Sequence, residues 1–197
     1  MGDAPGSEAW LKHIFELAVR DALFPQAAIG APLLVLLGGQ PAAGKTRAQE
    51  AILAAHPELV SVTGDDLRQY HPDYYELCVS DPVGMPAATA PVSGGLVQLA
   101  LDYAVEHRYP VLLEGTFRDP DMVCGTAERF AAAGYRVEVV AVATSALVSR
   151  LGAEKRYLGA DHPALARWTP PEAHEVALAG SSRVVATLEA SGVVSQM

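Results

Sequence analysis

Residues 33–46 read Leu-Leu-Val-Leu-Leu-Gly-Gly-Gln-Pro-Ala-Ala-Gly-Lys-Thr. Leu33–Leu37 has no polar position, the pattern of a strand buried on both faces of a parallel sheet. Gly39-Gln40-Pro41-Ala42-Ala43-Gly44-Lys45-Thr46 then matches the phosphate-binding loop G-x-x-x-x-G-K-[ST] in full. Gly39 and Gly44 permit backbone angles that side chains forbid, so the loop can turn its N–H groups inward around a β-phosphate. The helix expected over Thr46–Ala55 adds unpaired N-terminal N–H groups and a positive dipole end. In that frame Lys45 bridges β- and γ-phosphate oxygens, and the Thr46 hydroxyl binds Mg²⁺. An apolar strand before the loop and a helix after it are the context the motif requires.

Working outward, strands and helices alternate. Residues 8–23 read as an amphipathic helix, with Trp10, Ile14, Leu17, Ala18 and Leu23 at helical spacing. Residues 59–63 read as a second strand, and 81–91, with Pro82, Gly84, Pro86 and Pro91, as a loop. Then come a helix over 93–107, a strand over 111–114, a helix over 119–133, a strand over 136–143 and a helix over 145–157. A polar stretch at 159–171 leads to a final helix reaching about residue 190. This order predicts an α/β fold, a P-loop kinase-like doubly wound parallel sheet flanked by helices. We expect a single domain over 1–197, with 1–30 as an N-terminal helical extension.

Composition narrows the partners. The chain has 197 residues, 50% hydrophobic and 19% charged, enough apolar material for one sizeable core. Its formal net charge of −9 argues against a non-specific nucleic-acid binder, which must neutralise phosphates. Cys78 and Cys124 match no metal-ligand or redox spacing and read as reduced thiols. The longest apolar run, Ala31–Leu37, is far shorter than the roughly 20 residues of a spanning helix. The N-terminus, with Asp3, Pro5 and Gly6, lacks the basic and apolar segments of a signal peptide, so a cytoplasmic location is expected.

The phosphate loop specifies nucleotide binding but not the reaction. The guanine-reading Asn-Lys-x-Asp segment and the Leu-Ser-Gly-Gly-Gln-type transporter signature are both missing from the sequence. Polar residues at strand ends favour a small-molecule kinase using ATP or GTP, because ligands of open α/β sheets sit beyond the carboxyl ends of the strands. Strand two ends in Thr63-Gly64-Asp65-Asp66. A carboxylate there can accept a proton from an acceptor hydroxyl; the two acids can equally be caps of the segment beginning at Leu67. Strand three ends in Glu114-Gly115-Thr116-Phe117-Arg118, which reads as a substrate- and phosphate-facing loop or as a surface turn with a solvated arginine. Arg150, Lys155, Arg156 and Arg167 supply cations for a γ-phosphate in an otherwise acidic chain, although Arg150 and Lys155 read better as solvated helix charges. His174 reads as a structural histidine.

Several ordered segments together resemble the zeta toxins, the phosphoryl-transferring partners of bacterial toxin–antitoxin pairs. They are the loop from Gly39 to Thr46; Gly64-Asp65-Asp66-Leu67-Arg68-Gln69-Tyr70-His71-Pro72; Leu113-Glu114-Gly115-Thr116-Phe117-Arg118; Lys155-Arg156-Tyr157; and Ala166-Arg167-Trp168-Thr169-Pro170 leading to Ala173-His174. The resemblance covers roughly Leu33–Glu175. It implies phosphorylation of the 3′-hydroxyl of UDP-N-acetylglucosamine, and an antitoxin partner. It also implies roles: Asp65 as general base, Lys45 and Thr46 as phosphate and metal contacts, Glu114, Thr116 and Arg118 on the substrate side, Arg156 and Arg167 as the clamp on the transferring phosphate. One departure falls on the acceptor side. Gln98 stands where the family places a sugar-nucleotide-contacting glutamate, and an amide hydrogen-bonds without charge. Another sugar, an antibiotic or a dinucleotide is therefore the alternative acceptor, and a non-catalytic nucleotide-binding switch the alternative class.

Overall fold

The computed structural model describes residues 4–161 and 168–195. The chain opens with α1 (Glu8–Ile14), a π-helical turn (Phe15–Val19) and α2 (Arg20–Leu23), so the expected first helix carries a bulge in its middle. Next come β1 (Leu33–Gly38), α3 (Lys45–Ala55) and β2 (Val60–Thr63), then three short helical pieces: α4 (Gly64–Leu67), a 3-10 turn (Arg68–Tyr70) and α5 (Tyr74–Ser80). The rest is α6 (Met85–His107), β3 (Val111–Glu114), α7 (Pro120–Ala132), β4 (Arg136–Ala141), α8 (Ala146–Leu158) and α9 (Pro171–Ser191).

The four strands form one parallel sheet in the order β2-β3-β1-β4, with helices on both faces, as the alternation predicts. Every residue of β1 is buried, and its side chains alternate between two layers. Leu34 and Leu36 join the larger core with Leu96, Phe130, Val184 and Leu188 of α6, α7 and α9. Leu33, Val35 and Leu37 face the other way, onto Ala48, Ile52 and Leu53 of α3. Register is the feature that matters for function. Leu37 and Thr63 both pair with Glu114, so three neighbouring strands end level with one another.

One expected element is wrong. The proline-rich segment 81–91 is not a loop throughout, because α6 begins at Met85. Pro86 lies in its first turn, where the missing N–H has no partner to lose. The Asp81 carboxylate accepts from the Gly84 N–H at 2.9 Å and braces the entry. Pro91 lies inside the helix on an exposed position, and burial of Met85, Thr89, Val92, Ser93 and Leu96 offsets the lost backbone bond. Among the described residues, no helix is long and apolar enough to cross a membrane.

Candidate active site

The phosphate loop is built by backbone geometry. Gly39 has φ 148°, and a Cβ there would lie 2.3 Å from the Val142 carbonyl oxygen. Gly44, at φ 103°, caps the start of α3. The Gln40 side chain is buried and donates to the Thr144 carbonyl at 2.7 Å, so it ties the loop to the segment after β4. Lys45 Nζ donates to the Gly39 and Gln40 carbonyls at 3.1 and 3.3 Å and lies 3.5 Å from Glu114 Oε1. Burial pushes the Lys45 ammonium below the ordinary lysine range, and the Glu114 carboxylate opposes that shift.

Two hollows open at the level strand ends. The first, of about 500 Å³, is lined by Pro41, Ala42, Gly44, Lys45 and Thr46 on one side and by Arg156, Trp168 and Thr169 on the other. The second, of about 340 Å³, runs between α6 and α7 past Gly94, Gln98, Met122 and Thr126. Asp65, Arg68, Glu114, Thr116 and Arg118 line both, so the hollows meet there. Of the residues singled out in the sequence, Lys45, Thr46, Asp65, Glu114, Thr116, Arg118 and Arg156 thus share one cavity. Gln98 belongs to the second hollow only, is exposed, and donates to Asp102 Oδ1 at 2.8 Å. Asp66 lines neither hollow. Arg167 lies outside the described residues.

The segment carrying Thr116 and Arg118 is fixed by close packing. Phe117 adopts φ 50°, rare for a residue with a side chain, and its ring fills the space where a Cβ on Gly38 would sit, with ring atoms at 2.2 Å. Gly180 of α9 approaches the backbone of the same segment so closely that its Cβ would meet the Phe117 carbonyl oxygen at 2.6 Å. Gly38 therefore makes room for the aromatic wedge and Gly180 for the backbone that follows it, and together they set where Arg118 starts.

The cations divide by role. Arg156 Nη2 donates to Thr169 Oγ1 at 3.0 Å at the cavity wall. Arg150 instead makes a bidentate pair with Glu175 at 2.8 and 2.7 Å, joining α8 to α9. Buried His174 lies 2.8 Å from Ser149 Oγ and 3.1 Å from Glu175 Oε1, a structural bridge between the same helices. These contacts hold the Glu175 carboxyl at about 2. Sequence reasoning missed Arg68 and Thr169. Three-residue spacing from Asp65 was the available signal for Arg68, since such pairs face each other on a helical turn; Thr169 carried no local signal.

The sequence model of the zeta toxin family matches residues 18–197. The chain belongs to the zeta toxin family. It is 30% identical over 173 residues to the Toxin zeta of Enterococcus hirae, covering 86% of this chain and 60% of that protein. Toxin PezT of Streptococcus pneumoniae is also 30% identical, over 174 residues, with 86% and 68% covered. A solved structure from the PezAT chromosomal toxin–antitoxin system of Streptococcus pneumoniae superposes on 99% of this chain and 78% of that one, with TM-score 0.79 and 24% identity. The chain thus spans about three fifths of the length of its Enterococcus relative.

Proposed function

We propose that the chain is a kinase that transfers the γ-phosphoryl group of ATP or GTP to the 3′-hydroxyl of UDP-N-acetylglucosamine. The observation that carries this reading is the meeting of the two hollows at Asp65, Thr116 and Arg118, one hollow rimmed by the phosphate loop and the other by α6 and α7. A triphosphate in the first and a sugar nucleotide in the second would bring γ-phosphorus and hydroxyl together beside a carboxylate.

The chain's own groups then act as follows. Loop N–H groups and Lys45 hold the β- and γ-phosphates. Asp65 orients the acceptor hydroxyl and takes its proton as oxygen bonds to the γ-phosphorus and the bond to the bridging oxygen breaks. Arg118, Arg156 and Arg167 meet the charge that accumulates on the transferring group; a loose transition state leaves most of the work to positioning and charge. Mg²⁺ fits the donors present, since Thr46 and Glu114 offer hard oxygens on one cavity. An ion of this kind would arrive with the triphosphate and keep several waters. That ion would supply charge neutralisation at the transferring phosphate.

Incubation with ATP, Mg²⁺ and UDP-N-acetylglucosamine, followed by mass spectrometry, tests the proposal. One added phosphate on the sugar nucleotide is expected, and Asp65→Asn should keep triphosphate binding while losing most turnover. Triphosphate consumed only with other small hydroxyl compounds would move the acceptor; Gln98 in the second hollow is the observation that favours this second reading. Binding without consumption under any acceptor would leave a nucleotide switch. PezAT of Streptococcus pneumoniae is a toxin–antitoxin system, and by the same reading this chain has an antitoxin partner whose addition should abolish transfer.

A further inference from the structure

We infer that Arg68 is a positioning residue that locks the Asp65 carboxylate at the meeting point of the two hollows. The inference rests on Asp65 acting as the base.

Arg68 spends its guanidinium on two elements at once. Its Nε donates to Asp65 Oδ1 at 3.0 Å, from one turn further along the chain. Its Nη1 donates to the Pro86 carbonyl and to Thr89 Oγ1, both at 2.7 Å, on α6. Thr89 is wholly buried and itself donates to the Met85 carbonyl at 2.8 Å, so this anchor cannot swing. The guanidinium is planar and rigid, so fixing one edge on α6 fixes the direction of the Nε–H at the other.

The two ends of this link differ in exposure. The Asp65 side chain is 45% exposed and sits on the four-residue helix α4, whereas the Arg68 side chain is only 20% exposed. An aspartate has several staggered rotamers open to it, and each aims its oxygens differently. An ion pair of this spacing adds only about 0.2–0.5 kcal/mol to an isolated helix, so the pair by itself is a weak stabiliser. Orientation is a better reason for the arrangement. Arg68 borders both hollows, and α6, to which it is tied, walls both through Ala90. The position of the base is thereby referred to the wall that would hold the acceptor.

Parent, Arg68→Ala, Arg68→Lys and Thr89→Val are compared in steady-state transfer, each checked for folding by urea unfolding. Arg68→Ala should lower kcat by about 10- to 100-fold, the scale of an ångström-sized misplacement, with triphosphate KM unchanged. Arg68→Lys should recover part of the loss, and Thr89→Val, which removes one anchor, should lose less than Arg68→Ala. Added to Asp65→Asn, Arg68→Ala should cost less than twofold, because its effect passes through the carboxylate. Parent-like kcat in Arg68→Ala, or a full extra loss on top of Asp65→Asn, overturns the inference. A second readout needs neither acceptor nor turnover. The Arg68 Nε–H resonance should be protected from solvent exchange and lose that protection in Asp65→Ala, which leaves no acceptor. Free exchange in the parent refutes the lock whatever the chain phosphorylates, while a protected Nε–H in a chain that transfers nothing refutes only the kinase reading.

Discussion

Gly180→Ala adds one methyl group at the closest approach in the site's support. The new Cβ would sit 2.6 Å from the Phe117 carbonyl oxygen and 2.9 Å from both Cα and O of Arg118. All three are backbone atoms, so no side chain can swing aside, and the shortfall from ordinary contact is roughly 1 Å. The strand-end segment has little slack, because the Phe117 ring is already wedged against Gly38. Alanine in a helix interior gains about 1 kcal/mol over glycine, and overpacking costs about 1–3 kcal/mol. Net destabilisation should thus be about 0–2 kcal/mol by these same terms. Gly125→Ala isolates the steric part: Gly125 is exposed on α7 and its Cβ would meet nothing within 4 Å. It carries the propensity gain alone, so the two variants should differ by about 1–3 kcal/mol in urea unfolding. The larger consequence is functional. Moving the backbone of Arg118 by a fraction of an ångström should lower kcat by roughly 10-fold or more, with triphosphate affinity little changed. Equal stabilisation of both variants with parent-like turnover would refute the wedge.

Lys45→Ala should abolish transfer and weaken triphosphate binding by at least about 10-fold, read by calorimetry, since Lys45 carries the loop's cation. Gly94→Leu places bulk where a Cβ now meets open space in the second hollow; acceptor KM should rise by about 10-fold or more while triphosphate KM stays put. Unchanged acceptor KM would remove α6 from the acceptor's path. For pH, the Glu175 carboxyl is held at about 2 by hydrogen bonds from Arg150 and His174. A depressed carboxyl stabilises the fold above its unfolded pKa and loses that contribution as pH falls toward the folded value. The urea midpoint should therefore decline between about pH 4.3 and pH 2, and Glu175→Gln should flatten that decline. Identical acid limbs in the two proteins would remove the α8–α9 pair from the account.

The sequence by itself determined the elements whose chemistry is local. A short unbroken apolar run that leads into a phosphate loop reads as a strand covered on both faces, and a glycine–lysine–threonine spacing encodes a backbone cradle within eight residues. Alternation of such runs with helical periodicity gave the parallel sheet, and strand ends pointed to Asp65, Glu114, Thr116 and Arg118. The start of α6 was misread because proline penalties are local, whereas the burial of Met85, Thr89 and Val92 that overrides them is not. Only the tertiary structure decided that two hollows meet at Asp65, that Arg68 reaches 18 and 21 residues along the chain to Pro86 and Thr89, and that Gly38 makes room for the Phe117 ring and Gly180 for the backbone of Phe117 and Arg118. Those facts depend on the register of parallel strands and on distances between helices distant in sequence. Such quantities follow from how the whole core packs and leave no periodic trace in the residues themselves.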